Sequence, residues 1–291
     1  LLALTSMVTA QDTLYFDNVV FDAFGIDLPA ASAGHFYHVA PVDLDLDGDL
    51  DAVVSERMAT SLPSFEPVAV TYYQNNSLDP CEPQYDLVFG NPYNFDQNSI
   101  RYPVFADIDG DGDQDLFSSR FGPLAFEELY FYENSDGFFS GEVDQTDPFN
   151  FDNGDVLGLL PEFCDIDNDG DLDMFLGGSR SSAPHHFWFY RNEGTAQAPS
   201  FGEMTTDPFN LAPAMNSNSF IIHQCADMDC DGDYDLLTQE WETGSGPFIV
   251  SYYQNIGTPE EPDFDAPVEI DLLVFGELAD LDGDGRQDML G

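Results

Sequence analysis

Apolar residues in this chain come in short runs separated by polar, Gly- and Pro-rich stretches, and two kinds of run alternate. One kind is small and aliphatic: AVVS from Ala52, LFSS from Leu116, MFLGG from Met174, LLTQ from Leu236 and MLG from Met289. The other is aromatic and ends in a polar step: VTYYQN to Asn75, LYFYEN to Asn134, FWFYRN to Asn192 and VSYYQN to Asn255. Runs this short, rich in β-branched and aromatic residues and bounded by Gly, Pro, Asn and Asp, predict strands. After each aromatic run comes a polar turn, such as EGTAQAPSF or IGTPEEPDF, and then a further extended stretch; TDPFN recurs at Thr146 and Thr206. Four short strands per unit with no amphipathic helix describe one blade of an all-β propeller, whose sheets bury both faces against their neighbours. Core packing accounts for the aromatic runs more simply than a sugar-stacking platform does.

Between the first and second strand of every unit lies a nine-residue acidic loop. It reads DLDLDGDLD from Asp43, DIDGDGDQD from Asp107, DIDNDGDLD from Asp165, DMDCDGDYD from Asp227 and DLDGDGRQD from Asp280. Starts 64, 58, 62 and 53 residues apart mark one reused unit, far longer than the repeat of a calcium-binding β-roll. Hard oxygen ligands at alternate positions of a tight turn suit calcium, which accepts six to eight oxygens in flexible geometry; magnesium retains water and demands a stricter octahedron. Positions one, three, five and nine are therefore read as side-chain ligands. They are Asp43, Asp45, Asp47 and Asp51 in the first loop; Asp107, Asp109, Asp111 and Asp115 in the second; Asp165, Asp167, Asp169 and Asp173 in the third. Asp227, Asp229, Asp231 and Asp235 follow in the fourth, and Asp280, Asp282, Asp284 and Asp288 in the fifth.

Position seven is Asp49, Asp113, Asp171, Asp233 or Arg286. A backbone carbonyl ligand tolerates that arginine, whereas a carboxylate ligand does not, so position seven is expected to ligate through its carbonyl. Position six is always glycine, as a turn with positive φ requires. Position two is always apolar (Leu44, Ile108, Ile166, Met228, Leu281) and is expected to anchor the loop in the core. An EF-hand would need flanking helices and a glutamate at position twelve, where Val54, Ser118 and Thr238 stand instead. About five calcium ions, one per loop, follow.

The acids outnumber the bases 56 to 6, giving a formal charge of −50. Five calcium ions would offset ten of those charges, so the loops explain where acids sit and not the whole excess. Such a surface repels nucleic acid and anionic membranes. All the bases are arginine; an acidic, lysine-free surface suits a salty medium, where screening is short-ranged. Histidines at 35, 38, 185, 186 and 223 recur at no fixed offset from the loops and have no partner legible in the sequence, so no catalytic residue is assigned. Four cysteines, Cys81, Cys164, Cys225 and Cys230, allow three pairings if all are oxidised, and spacing selects none. Cys164 aligns with small residues before the other loops, which predicts a packing role.

The N-terminal LLALTSMVTA resembles the end of a signal peptide, with Val8 and Ala10 as the small residues before a cleavage site, so residues 1–10 are read as its remnant and 11–291 as the repeats. No segment is long and apolar enough for a membrane helix. LYFDNVVFDAFGID resembles the fourth strand of the later units and is expected to complete the last blade. The chain stops just as the second strand of the fifth unit begins, which predicts about four and a half blades of a larger ring, with one face of the final sheet uncovered.

The loop and its flanking strands resemble FG-GAP or VCBS repeats, the family that builds the seven-bladed propeller head of integrin α-subunits and many bacterial surface proteins. FLGG after the third loop partly matches the family's signature; most Phe-Gly and Gly-Ala-Pro signatures are absent, which favours the divergent bacterial type. The resemblance implies a secreted or cell-surface calcium-binding propeller, acting in adhesion or in recognition of a glycan or protein. Two further functions are carried beside it: the propeller domain of an extracellular polysaccharide lyase or glycosidase, and a structural spacer of a larger surface protein.

Overall fold

The computed structural model describes residues 2–9, 14–21, 35–61, 64–77, 83–121, 127–146, 148–151, 156–180, 186–215, 219–242, 248–270, 276–281, 283 and 286–290. Among them the regular structure is strand, apart from a 3-10 turn at Pro148–Asn150. No helix of the described residues is long and apolar enough to cross a membrane. β1 (Leu2–Thr9) and β2 (Leu14–Phe21) open the chain. β3 (His35–Val42), β4 (Asp51–Ser61), β5 (Ser64–Asn75) and β6 (Tyr85–Val88) form the first blade. The second is β7 (Pro103–Ala106), β8 (Asp115–Phe121), β9 (Glu127–Tyr132) and β10 (Gln145–Thr146). In the third, β11 (Val156–Cys164), β12 (Asp173–Arg180), β13 (Trp188–Tyr190) and β14 (Thr205–Thr206) pair in order. β15 (Ser219–Ala226), β16 (Asp235–Glu242), β17 (Phe248–Tyr253) and β18 (Val268–Ile270) make the fourth. β19 (Glu277–Ala279) and β20 (Asp288–Leu290) begin a fifth, which β1 and β2 extend in the order β19-β20-β1-β2.

All neighbours are antiparallel, and one register recurs. The residue before each acidic loop pairs with the loop's ninth position: Val42 with Asp51, Ala106 with Asp115, Cys164 with Asp173, Ala226 with Asp235 and Ala279 with Asp288. Each loop thus closes a hairpin between the first two strands of its blade. A one-residue slip would turn every core side chain to the wrong face. The blades are therefore superposable in how they present their loops.

The cores lie between sheets. Tyr72 and Val53 of the first blade pack with Leu116 and Tyr132 of the second, and Phe131 with Met174 and Trp188 of the third. Phe175 and Phe189 pack with Ile221 and Tyr253 of the fourth. The position-two residues are buried in these clusters as plugs, Leu44, Ile108, Ile166, Met228 and Leu281 each being at most 4% exposed. The aromatic runs likewise go into the cores rather than onto a platform.

Two expectations are corrected. Among the described residues, the final sheet meets both neighbouring blades where one face was expected to stay uncovered: Met289 packs with Leu237 and Val250 of the fourth blade, and Leu281 with Val39, Ala52 and Val54 of the first. Two N-terminal strands complete it, β2 as the outer strand and β1 inside it, because β1 pairs with β20 on one edge and β2 on the other. The innermost strands β3, β7, β11, β15 and β19 touch in that order, and β19 touches β3. The second correction concerns cysteine: Cys164 at the end of β11 is disulfide-bonded to Cys225 in β15, tying the inner strands of two blades. Cys164 does sit in the core, but as half of a bond that only the neighbouring blade supplies. Cys81 lies outside the described residues, and Cys230 is exposed.

Candidate metal centre

Each acidic loop is folded by its own carboxylates. The position-six amide donates to the position-one carboxylate in four loops: Gly48 to Asp43 at 3.0 Å, Gly112 to Asp107 at 3.1 Å, Gly170 to Asp165 at 3.1 Å and Gly232 to Asp227 at 3.0 Å. The position-seven amide donates to the position-five carboxylate over 3.0–3.3 Å in the same loops. These glycines have φ of 93–100°, as expected. Position four was not anticipated: Leu46, Gly110, Asn168, Cys230 and Gly283 all have positive φ, between 53° and 71°. Two Gly and one Asn among the five were the available signal, since those residues tolerate the left-handed region and Leu does not.

Position nine is the hinge between loop and blade. Its Oδ1 accepts the amide of the asparagine that ends the aromatic strand: Asn75 to Asp51 at 2.8 Å, Asn134 to Asp115 at 2.8 Å, Asn192 to Asp173 at 2.7 Å and Asn255 to Asp235 at 2.8 Å. The asparagine side chain bridges the acidic loop and the following turn. Its Nδ2 donates to the position-eight carbonyl, Asn134 to Gln114 at 3.0 Å and Asn255 to Tyr234 at 3.4 Å. Its Oδ1 accepts amides of the turn, Asn192 from Gly194 and Ser200 and Asn255 from Gly257 and Asp263. The recurrent Asn is a clamp between two loops, a role that the sequence pattern marked only by its fixed place.

Three acids per loop bring ligand atoms within 4.8 Å of one another: Asp43, Asp45 and Asp51; Asp107, Asp109 and Asp111; Asp165, Asp167 and Asp169; Asp227, Asp229 and Asp231. Asp47 stands outside its group, and Asp51 is in it. In the fifth loop Asp280, Arg286 and Asp288 are described, while Asp282 and Asp284 lie outside the described residues. The side chains of Asp113, Asp171 and Asp233 at position seven are buried, and Asp113 Oδ2 accepts the Asp136 amide at 2.7 Å. A carbonyl role for position seven does not require that burial, so the side chain has structural work of its own.

These sites carry more negative charge than their hydrogen bonds satisfy. Asp113 Oδ1, Asp115 Oδ2, Asp171 Oδ1, Asp173 Oδ2 and Asp233 Oδ1 are buried with no hydrogen-bond partner. Burial pushes the carboxyls of Asp115, Asp173 and Asp235 up to about 7 and that of Asp51 to about 6. Hydrogen bonds pull them part of the way back, from Tyr72 and then Asn75 at Asp51, from Asn255 and then Tyr252 at Asp235, and from the clamp asparagine at Asp115 and Asp173. A buried carboxylate oxygen without a donor costs free energy unless a cation faces it. The donor set is all hard oxygen, with no thiolate or imidazole, and it fits calcium.

A cleft of about 440 Å³ lies between the second and third loops, lined by Asp107, Gln114, Asp165, Asp171, Phe105 and Phe163 among others. A second polar group sits among the inner strands. His38 Nε2 lies 3.5 Å from Glu277 Oε1 and 3.1 Å from the Pro103 carbonyl; Gln224 Nε2 donates to Glu277 Oε2 at 2.6 Å; Glu162 accepts the Cys225 amide at 2.8 Å. Burial holds Glu277 up at about 7, and burial with the nearby Glu277 raises Glu162 well above the carboxylate range. His38 therefore has the partner that the sequence could not show. His186 Nδ1 meets Asp207 Oδ2 at 2.6 Å and His223 is buried against Phe175 and Phe187. The side chain of His35 and all of His185 lie outside the described residues.

Residues 107–176 and 165–238 match the FG-GAP-like repeat, each match running from one acidic loop through the next blade's inner hairpin. The chain contains FG-GAP-like repeats. The matched repeats contain the second, third and fourth loops, and the register that places those loops also places the first and fifth. No curated protein matches the chain.

Proposed function

We propose that this FG-GAP-like propeller is an exported, calcium-stabilised recognition module that binds a glycan or protein surface. The observation that carries the calcium reading is the set of buried carboxylate oxygens without donors, repeated at equivalent places in the loops. In each loop, positions one, three, five and nine would hold the ion, and position seven would add its carbonyl. The ion supplies the positive charge that the converging carboxylates lack. By the repeat, Asp280, Asp282, Asp284 and Asp288 with Arg286 make the fifth site. Extracellular calcium modules bind with dissociation constants of about 10⁻⁴–10⁻³ M, and a site at a hundredfold excess over its constant adds about 2.7 kcal/mol to stability.

Export is supported by the Cys164–Cys225 disulfide, a bond that persists in oxidising compartments, and by the signal-like N-terminus. Cleavage after Ala10 would remove β1 and leave β2 without its partner, so N-terminal sequencing of the exported protein decides whether that segment is leader or strand. Thermal melts with calcium and with chelator test the metal: melting should fall by many degrees in chelator, and identical curves reject the reading. A glycan array with a reducing-end assay on acidic polysaccharides tests the role. Binding without turnover supports recognition. Turnover would support an enzyme, a reading to which the His38–Glu277 contact, a departure from the repeat, lends its one structural argument.

A further inference from the structure

Four loops share one register, yet the residue at the end of the aromatic strand beside each of them differs. It is the residue just before the clamp asparagine: Gln74, Glu133, Arg191 and Gln254. Gln74 Nε2 donates to Asp45 Oδ2 at 2.5 Å and Gln254 Nε2 to Asp229 Oδ2 at 2.7 Å, so in the first and fourth loops a neutral amide touches the position-three carboxylate. In the third loop a guanidinium takes that place. Arg191 pairs with Asp167 Oδ2 and stands 4.0 Å from Asp169 Oδ2, between the carboxylates of positions three and five. Asp167 is 3% exposed beneath it, whereas Asp45 is exposed. In the second loop the same position holds Glu133, whose side chain is exposed.

We infer that this one residue grades the cation affinity of the loop beside it, with the third loop weakest and the second strongest. The inference rests on the calcium reading above, which the buried oxygens of Asp115 and Asp173 support independently of the residues named here. The electrostatics are direct. Arg191 already supplies a positive charge to Asp167 and Asp169, so an incoming cation must displace it and then bind beside it. Charges about 4 Å apart near a protein surface interact strongly. Arg191 is about half exposed, which leaves it room to swing into solvent, so binding in the third loop is weakened rather than abolished. Gln74 and Gln254 orient a carboxylate without adding charge. Glu133, at the equivalent place in the repeat, adds a negative charge where Arg191 adds a positive one, and a negative charge favours a cation. The third loop is accordingly held together by the chain's own cation when calcium is scarce, and the second loop is the first to fill.

The position-six glycines report each site separately, because each donates its amide to the position-one carboxylate that a cation would polarise. Calcium added to the full chain while the amide resonances of Gly48, Gly112, Gly170 and Gly232 are followed should shift Gly112 first and Gly170 last. R191Q should bring the Gly170 midpoint down on the order of tenfold, the factor that corresponds to about 1.4 kcal/mol, while R191K leaves it high. E133Q should raise the Gly112 midpoint and leave the others. If Gly170 titrates with Gly48 and Gly232 and R191Q moves nothing, the grading is wrong although the loops bind calcium. If no glycine shifts by about 10 mM, well above the range of weak extracellular sites, the calcium reading fails and the grading with it.

Discussion

The first and fourth loops differ from the second and third in the residue three before the clamp asparagine, and the difference is one hydroxyl. Tyr72 donates to Asp51 Oδ2 at 2.5 Å and Tyr252 to Asp235 Oδ2 at 2.9 Å. Phe131 and Phe189 hold the corresponding places, and there Asp115 Oδ2 and Asp173 Oδ2 have no hydrogen-bond partner. Both kinds of ring serve the core equally, packing between adjacent blades. One strand register therefore hides two electrostatic states. A loop capped by a phenol satisfies its deepest carboxylate from within the blade, and a loop capped by phenylalanine leaves that carboxylate oxygen without a donor.

Cation removal should separate the two kinds most. In chelator, D115N should be more favourable than D51N by about 1.5–3 kcal/mol, because Asp51 accepts a tyrosine hydroxyl that the asparagine holds less well, whereas Asp115 loses only an unsatisfied charge. In saturating calcium both variants should be destabilised, and urea unfolding of each with and without calcium gives the four numbers. Equal behaviour of the pair in chelator would erase the distinction between loops.

Acidity probes the same carboxyls. In the chelated chain Asp51, Asp115, Asp173 and Asp235 have folded pKa values of about 6–7, raised by burial above the ordinary carboxyl value. A group whose folded pKa is raised contributes stability that is complete below its unfolded pKa, near 4, and is lost as pH rises through the folded value. The chelated protein should thus become less stable between about pH 4 and pH 7, each such group contributing at most about 1.4 kcal/mol per pH unit. Calcium competes with protons for these oxygens, so saturating calcium should flatten or reverse the trend.

Exchanging the rings should convert one kind of loop into the other. Phe131→Tyr gives Asp115 a donor and should stabilise the chelated chain by about 1 kcal/mol, provided the hydroxyl finds the room that Tyr72 has; Tyr72→Phe should cost about as much. Melting temperatures in chelator measure both. The smallest effect concerns position four, where the first loop places Leu46 at φ 57° and the second places Gly110 at φ 66°. Leu46→Gly should stabilise the first loop by about 0.5–1 kcal/mol in chelator, since the left-handed conformation costs Leu more than Gly. No change there would mean that its exposed side chain compensates the strain.

How much of this was legible depended on whether a feature repeats. Position two, the glycine at six, the strand that follows each loop and the blade itself recur, so aligning the chain with itself exposed them. Features that occur once stayed hidden. His38 acquires its partner only because β3 and β19, more than two hundred residues apart in sequence, lie side by side. Cys164 could be assigned to the core from its small neighbours in the alignment, but its bond needed Cys225 of the next blade. The clamp asparagines fell between: their spacing from the loop was visible, and their hydrogen bonds to position nine were not, because a loop and a strand end some twenty residues apart meet only once the sheet has formed.

Local chemistry is what the sequence by itself determined: alternating carboxylates around a glycine dictate a tight, cation-seeking turn, and short aromatic runs between breakers dictate strands. Those outcomes follow from forces that act within a few residues, and they survive in every copy. The tertiary structure alone decided which oxygens remain without donors, which loop carries its own cation in Arg191, and how β1 and β2 complete the sheet begun by β19 and β20. Those depend on the packing of one blade's edge against another segment, where burial strengthens charge interactions and distant residues become neighbours.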